Sequence, residues 1–164
     1  MIEPTRSTSA AKAGQASARV AIAIRSGHPS DALLIADLIA RENNRPADVH
    51  EIECLLGAAP SVVALSAGEL VGVIYSRRFA PDMLEWRNSL VATAHRRTGV
   101  GTMLVQAMEQ RTREAGYRAA IGVNCWMHVG TTKQAASAAR AFWRAMGWSI
   151  IFATDGSAVL AKHF

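Results

Sequence analysis

The sequence predicts one domain of the α/β (α+β) class, with a central mixed, mostly antiparallel sheet of six to seven strands and four flanking helices. The chain of 164 residues is half apolar and 19% charged, which is typical of a globular domain with a sizeable core. Apolar segments of strand length are interspersed with segments of helical periodicity. Two pairs of strand segments are joined by short turns that contain glycine, and this favours antiparallel hairpins.

The N-terminal residues 1–19 are rich in Ser, Thr, Ala and Gly and have no apolar periodicity. We expect them to form a disordered tail, and we expect the folded domain to span residues 20–164. A first strand is predicted at residues 20–25. The helix after it should begin at an N-cap provided by Ser30 or Asp31.

A proline then divides the helical region, because Pro46 cannot continue a helix and restricts the residue before it. A second helix is predicted at residues 47–56. Two apolar segments, residues 61–65 and 70–75, flank the turn Ser66-Ala67-Gly68-Glu69 and predict a hairpin.

Charged and turn-forming residues are expected to end the second strand of this hairpin at Arg77-Arg78 and Ala80-Pro81-Asp82. The next strand is predicted at residues 83–93. It leads directly into a basic turn and a long amphipathic segment.

That turn has the sequence His95-Arg96-Arg97-Thr98-Gly99-Val100-Gly101-Thr102. The first N–H groups of a helix have no intrahelical partner and lie at the positive end of the helix dipole, so they form an anion site. Gly99 and Gly101 would let a ligand approach the backbone closely. The helix should end near Gly116, with one buried stripe formed by Val100, Met103, Leu104, Ala107 and Met108.

The remaining segments complete the pattern. A short apolar segment at residues 118–126 fits a parallel strand reached by a right-handed crossover. A helix that ends at Gly147 and a final hairpin around Asp155-Gly156 follow it. These elements are predicted at residues 134–146, 148–153 and 158–163.

The distribution of charge along the chain indicates which classes of ligand are favoured. The net charge is +5, and the excess clusters near the basic turn rather than along a basic and aromatic stripe. Nucleic acid is therefore the less favoured partner, and a compact polyphosphate ligand explains the charge at least as well. Cys54 and Cys125 lack metal-ligand spacing, so we expect no metal and a reducing, cytoplasmic compartment. No apolar run approaches the ~20 residues of a membrane span, so no membrane partner is expected.

The element order β-α-α-β-β-β-α-β-α-β-β, with Arg96-x-x-Gly99-x-Gly101 at the start of the third helix, resembles the GNAT superfamily of acyl-CoA-dependent N-acetyltransferases. The segment Phe142-Trp143-Arg144-Ala145-Met146-Gly147-Trp148 is similar to the aromatic–tyrosine–x-x-x-glycine–aromatic signature on the family's fourth helix. The resemblance implies the GNAT fold, in which the sheet contains a parallel pair of strands that splay apart.

The resemblance also implies that acetyl-CoA is the cosubstrate. Its pyrophosphate would bind the N–H groups of the basic turn. Its pantetheine arm would lie in the gap between the splayed strands and pair with the backbone of the central strand. The residues implied for cofactor binding are Leu90, Val91, Ala92, Arg96, Arg97, Thr98, Gly99, Val100, Gly101 and Thr102.

For catalysis, the resemblance implies that the Val91 N–H polarises the thioester carbonyl. Glu85 is our first choice of general base, because it lies six residues before Val91 on the same strand, and strand alternation puts both side chains on one face. His128, near the expected cleft, is a second candidate. Counting back four residues from Gly147 gives Trp143 where many family members have a tyrosine acid, and an indole N–H is not a usable acid at neutral pH.

The implied reaction is the transfer of an acetyl group from acetyl-CoA to a primary amine by direct attack, with either a small molecule or a protein as acceptor. Trp143 motivates an alternative, a non-catalytic acyl-CoA-binding or regulatory module on the same fold. A homodimer is compatible with the resemblance. Four acidic residues could attract a cationic amine, or could form an ordinary solvated helix face: Glu42, Asp48, Glu51 and Glu53.

Overall fold

A computed structural model describes residues 21–125, 133–154 and 156–164 of the chain. The strands are β1 Ile22–Ser26, β2 Ser61–Ser66, β3 Glu69–Ala80, β4 Met83–Val91, β5 Ala119–Cys125, β6 Ser149–Ala153 and β7 Ser157–His163. The helices are α1 Ala32–Asn43, α2 Val49–Ala58, α3 Val100–Glu114 and α4 Lys133–Ala145, with short 3-10 helices at Pro29–Asp31 and Thr93–His95. The predicted fold class and element order are confirmed. The predicted tail lies outside the described residues.

The seven strands form one sheet in the order β1-β2-β3-β4-β5-β7-β6. Every neighbouring pair is antiparallel except β4 and β5, which are parallel and reach each other through α3. Helix α2 lies on one face of the sheet, where Glu51 meets Arg87 of β4. Helix α3 lies on the other face, where Leu104 lies close against Gly72 of β3. The sheet is therefore covered on both faces.

Strand β3 is longer than predicted. The expectation that Arg77-Arg78 would end it is wrong, because β3 continues to Ala80 and both arginines pair with residues of β4. Only the turn at Pro81-Asp82 separates the two strands. Charged residues fit this end of β3 because it is exposed, whereas the seven residues from Leu70 to Ser76 are buried.

Strand β4 contains a bulge. Tyr75 pairs with Asn88, but the next residue of β3, Ser76, pairs with Trp86, so Arg87 is one extra residue on β4. A bulge of this kind reverses the in-and-out alternation of side chains from one side of it to the other.

Helix α3 buries a stripe slightly different from the predicted one. Val100, Leu104 and Met108 are buried as expected, but Met103 is 39% exposed and Val105 is buried instead. The stripe follows i, i+4, i+5 and i+8, because α3 packs across β2 and β3 rather than along one strand. Gly116 follows the helix with φ 83°, and the Tyr117 N–H donates to the Thr112 carbonyl, a left-handed C-terminal cap.

The N-terminus of α1 is built differently from the prediction. Asp31 precedes α1 but makes no side-chain capping bond to it. Its carboxylate instead accepts two hydrogen bonds of 2.7 Å from Arg25 and one of 2.8 Å from the His28 N–H. The guanidinium of Arg25 is the main reason why the pKa of Asp31 is lowered. This ion pair, in which the carboxylate is buried and the guanidinium is partly exposed, ties the end of β1 to α1.

Candidate active site

A gap opens between the parallel strands β4 and β5. Their pairing covers four residues of each strand and ends at Trp86 and Gly122. Beyond that point β4 remains paired with β3, and β5 remains paired with β7. The later half of β4 therefore has one backbone edge turned toward the gap.

The hydrogen-bond ladder between β3 and β4 shows which residues have their backbone groups on that edge. The Ala92 N–H donates to the Val71 carbonyl over 2.8 Å. In an antiparallel ladder, pairs of residues that bond to each other alternate with pairs whose backbone N–H and C=O groups point away from the partner strand. The N–H groups of Ser89 and Val91 therefore point away from β3, toward the gap.

This ladder revises the predicted contacts of the central strand. The Val91 N–H points toward the gap, as its predicted contact requires. The Ala92 N–H, in contrast, is already bound to β3, and Leu90 belongs to the hydrogen-bonded pair with Val73. Neither Leu90 nor Ala92 can pair with a ligand arm in the gap as predicted. Ser89 was missed, because only the register of β3 against β4 reveals the direction of its N–H.

The turn between β4 and α3 holds an open helix N-terminus. Arg97 and Gly99 both have left-handed backbone conformations, with φ 65° and φ 94°. Gly99 is the N-cap and contributes no side-chain cap. The N–H groups of Val100, Gly101 and Thr102 consequently lack intrahelical partners, and such groups bind anions well.

Two residues of the motif have other contacts. The Thr98 hydroxyl donates to the His95 carbonyl over 2.7 Å, which closes the turn. The side of Gly101 that lacks a Cβ faces inward, where an added Cβ would lie 3.5 Å from Phe142 and 3.9 Å from Val91. A ligand therefore cannot approach Gly101 from that side as predicted, and the missing Cβ instead makes room for α4.

Arg96 joins three parts of the site. Its Nε donates to the Val91 carbonyl over 2.9 Å, and its Nη2 lies 3.1 Å from Glu42 Oε2 on α1. The same Glu42 oxygen accepts the N–H and the hydroxyl of Thr93, at 3.0 and 2.7 Å. The Glu42 side chain is only 9% exposed. This group, which we call the Glu42 brace, fixes the start of the turn against α1.

Glu85 lies on the α2 face of the sheet and is bound by two arginines. Its Oε2 is 2.6 Å from Arg77 Nε, and its Oε1 is 3.3 Å from Arg87 Nη1. Arg87 also reaches Glu51 of α2 over 3.3 Å. Val91 points to the other face, toward Gly101 of α3. The prediction that Glu85 and Val91 share a face is wrong, because the bulge at Arg87 reverses the alternation between them.

Trp143 belongs to an aromatic cluster on the α3 and α4 face. Its ring centroid lies 6.1 Å from that of Trp86 and 5.0 Å from that of Trp148, both in edge-to-face geometry. Phe142 lies 5.4 Å from Trp143. Among the described residues, the indole N–H groups of Trp86 and Trp148 are buried and have no hydrogen-bond partner. His128 lies outside the described residues.

The four acidic residues of the first two helices each have a different partner. Glu42 belongs to the brace, and Asp48 caps α2 by accepting the Glu51 N–H over 3.1 Å. Glu51 pairs with Arg87, and Glu53 lies 4.0 Å from His50. Within the described ranges there is no cluster of three or more His, Cys, Asp or Glu side chains able to hold a metal. None of the helices described is long and apolar enough to cross a membrane.

Solved structures with the same fold are numerous. Ard1 from Thermoplasma volcanium aligns with a TM-score of 0.72 and 19% identity, over 88% of this chain and 98% of that one. The ribosomal-protein-S18-alanine N-acetyltransferase from Escherichia coli aligns with a TM-score of 0.72 and 15% identity, over 87% and 94% of the two chains. The PaiA N-acetyltransferase from Thermoplasma acidophilum, solved with coenzyme A, aligns with a TM-score of 0.66 and 14% identity, over 88% and 99%. At these low identities, the TM-scores establish a shared fold.

A comparison of the sequence with curated proteins gives no match. The sequence profile of the Acetyltransferase (GNAT) family, in contrast, matches residues 31–148. That span runs from the first turn before α1 to the start of β6 and includes the gap and the open helix N-terminus. The chain therefore belongs to the GNAT acetyltransferase family, as its motifs predicted.

Proposed function

We propose that the protein is an N-acetyltransferase that transfers an acetyl group from acetyl-CoA to a primary amine by direct attack. The observation that carries this proposal is the outward direction of the Ser89 and Val91 N–H groups, in a gap that leads from the open N-terminus of α3. A strand edge and a helix N-terminus together suit an elongated ligand with an anionic end.

The chain's own groups would hold this ligand at two places. The N–H groups from Arg97 to Thr102 bind the pyrophosphate, and the Thr102 hydroxyl adds a donor. The Ser89 and Val91 N–H groups pair with the arm, and the one beside the thioester stabilises charge on its carbonyl oxygen. Acetyl-CoA supplies the acetyl group as an activated thioester. Arg96 positions the Val91 carbonyl and the turn.

The attacking amine must lose a proton, and Glu85 is the carboxylate that lies closest along β4 to the apex of the gap. Both of its oxygens accept hydrogen bonds from arginines. The longer of these, 3.3 Å to Arg87, is the weaker one, since charge-assisted bonds are normally 2.7–2.9 Å. We propose that Glu85 takes the proton on Oε1, directly or through water, when Arg87 shifts to the acceptor.

Departure of the thiol needs no acid from α4 in this proposal. Trp143 stands in place of the family's tyrosine, and its ring packs among Trp86, Trp148 and Phe142. An indole cannot donate its proton at neutral pH. The thiolate of coenzyme A therefore takes its proton from water.

One specific observation favours a second function. Trp143 lacks an acidic proton, and Glu85 is bound by two guanidinium groups. A non-catalytic acyl-CoA-binding module would show the same open turn and gap without a working base or acid.

The two functions differ in a thiol-release assay with acetyl-CoA and a panel of primary amines. Amine-dependent release of coenzyme A is expected for the enzyme. Binding of coenzyme A without turnover on any amine would establish the module, and absence of coenzyme A binding would contradict both.

A further inference from the structure

In the described part of the chain, aromatic packing closes one face of the apex of the gap. The last parallel pair joins Trp86 to Gly122. On the face of α3 and α4, Trp86 is 5% exposed and Trp148 is 3% exposed, and their ring centroids lie 4.7 Å apart. This aromatic packing fills that side of the apex. We therefore expect an acceptor to reach the reactive end of the gap from the face of α2.

A chain of four charged side chains lies on that face. In spatial order they are Arg77, Glu85, Arg87 and Glu51, and adjacent members are 2.6, 3.3 and 3.3 Å apart. We call this group the charged row. It borders the apex directly, because Arg87 is the residue that follows Trp86.

The arginines of the charged row have hydrogen-bond donors to spare. In the described part of the structure, Arg77 uses only its Nε, and its side chain is half exposed. Arg87 uses one terminal nitrogen for each glutamate, both at 3.3 Å. A guanidinium has five N–H donors and prefers paired contacts with carboxylate or phosphate. Both arginines can therefore donate hydrogen bonds to an anionic group of a ligand.

The buried Tyr75 lies beside the charged row. Arg45 acts electrostatically on the Tyr75 hydroxyl together with Arg87 and Glu51. Burial raises the pKa of Tyr75, so the phenol remains a neutral donor. Within the charged row, two guanidinium groups meet two carboxylates. An anionic group on the acceptor would give the spare donors of the two arginines a further partner.

We propose that the acceptor is a small molecule that carries both a primary amine and a carboxylate or phosphate group, and that Arg77 and Arg87 bind its anionic group. This inference rests on the proposed acetyl transfer. The anion takes the place of Glu85 Oε1 and Glu51 as a partner of Arg87, and Glu85 then faces the amine. Binding of the anion therefore frees the base that the arginine occupies in the resting protein.

The test measures binding and is independent of turnover. Matched amines with and without the anion are titrated calorimetrically into the full-length protein saturated with coenzyme A. The pairs are lysine and cadaverine, phenylalanine and phenethylamine, and O-phosphoethanolamine and ethanolamine. At least one anionic member should bind about tenfold more tightly than its partner. Equal binding within all three pairs, or no detectable binding of any anionic member, would overturn the inference. The thiol-release assay still decides the proposed function.

Matched variants locate the effect. Arg87→Gln and Arg77→Gln should each remove most of the preference, and Arg87→Lys should restore part of it. Arg78→Gln removes the same charge from the other face of β3, where Arg78 pairs with the buried Leu84, and should leave the preference intact. An equal effect of Arg78→Gln would overturn the assignment. A preference seen only with short peptides bearing an acidic second residue would exclude a small-molecule acceptor.

Discussion

Glu42 Oε2 lies 3.1 Å from Arg96 Nη2, so α1 is joined to the turn that precedes α3. The same oxygen also binds Thr93 through its N–H and hydroxyl. The acidic residue that the sequence suggested for acceptor binding thus holds the turn that we propose binds coenzyme A. In this proposal, the helix expected to lie near the acceptor is connected directly to the turn that binds coenzyme A.

The Glu42→Gln variant should bind coenzyme A about tenfold more weakly, because a neutral amide replaces a carboxylate that holds three donors. The turn then loses its fixed position against α1. Calorimetric titration with coenzyme A measures this effect. Glu53→Gln, on the exposed surface of α2, removes an equal charge and serves as the control. Unchanged affinity in Glu42→Gln would show that the brace does not position the turn.

Gly99→Ala should also weaken coenzyme A binding. At φ 94° a Cβ is strained at a cost of about 1–2 kcal/mol, and relief of this strain rotates the open N–H groups. Gly116→Ala has the same kind of strain, at φ 83°, beyond the far end of α3, and no atom would contact its Cβ within 4 Å. Both variants should lose stability in thermal unfolding, but only Gly99→Ala should lose affinity. Equal affinity in the two variants would disprove a role for the turn geometry.

The Glu85→Gln variant should slow acetyl transfer about a hundredfold at neutral pH, because the amide cannot take a proton. The rate should recover as the pH rises and the acceptor amine deprotonates by itself. The pH dependence of kcat/KM measures this, with Glu69→Gln at the exposed start of β3 as the control. A profile that is lower at every pH but unchanged in shape would assign Glu85 a binding role instead.

The ion pair between Arg25 and Asp31 should make stability depend on pH. Arg25 lowers the pKa of Asp31 below its ordinary value of 3.8. The pair therefore contributes fully above the unfolded-state pKa, and its contribution is lost as the pH falls through the folded-state pKa. Asp31→Asn should reduce the free energy of unfolding by about 1.5–3 kcal/mol near pH 7. Urea titrations at pH 7 and pH 3 measure this, and an equal loss at both would contradict the assignment.

Most of the fold was predictable from local sequence patterns. The open turn was predictable because Gly99 and the helix after it are adjacent in sequence, and glycine is the residue best suited to a left-handed N-cap. The hairpin of β2 and β3 was predictable for the same reason. In both features, the residues that determine the structure lie within a few positions of one another in sequence.

The charged row was not predictable in this way. Glu85 was identified, but its partners Arg77 and Arg87 depend on how β3 is registered against β4. Arg77 was expected to lie at a strand end, since two adjacent arginines resemble a loop. Glu51 joins the row from a helix 36 positions away from Arg87 in sequence. Contacts set by register and by packing between layers leave no local signal.

The extra residue in β4, Arg87, determines which layer of the domain each side chain before it faces. Deletion of Arg87 would do more than shorten the strand. With continuous pairing restored, the residues before position 87 would exchange layers, so that the Trp86 indole would turn out toward α2 and the Glu85 carboxylate would turn in among the tryptophans. A single-residue deletion would thus bury a charge and expose an aromatic ring. We expect that the domain would not tolerate this deletion, whereas a surface loop usually tolerates the loss of one residue.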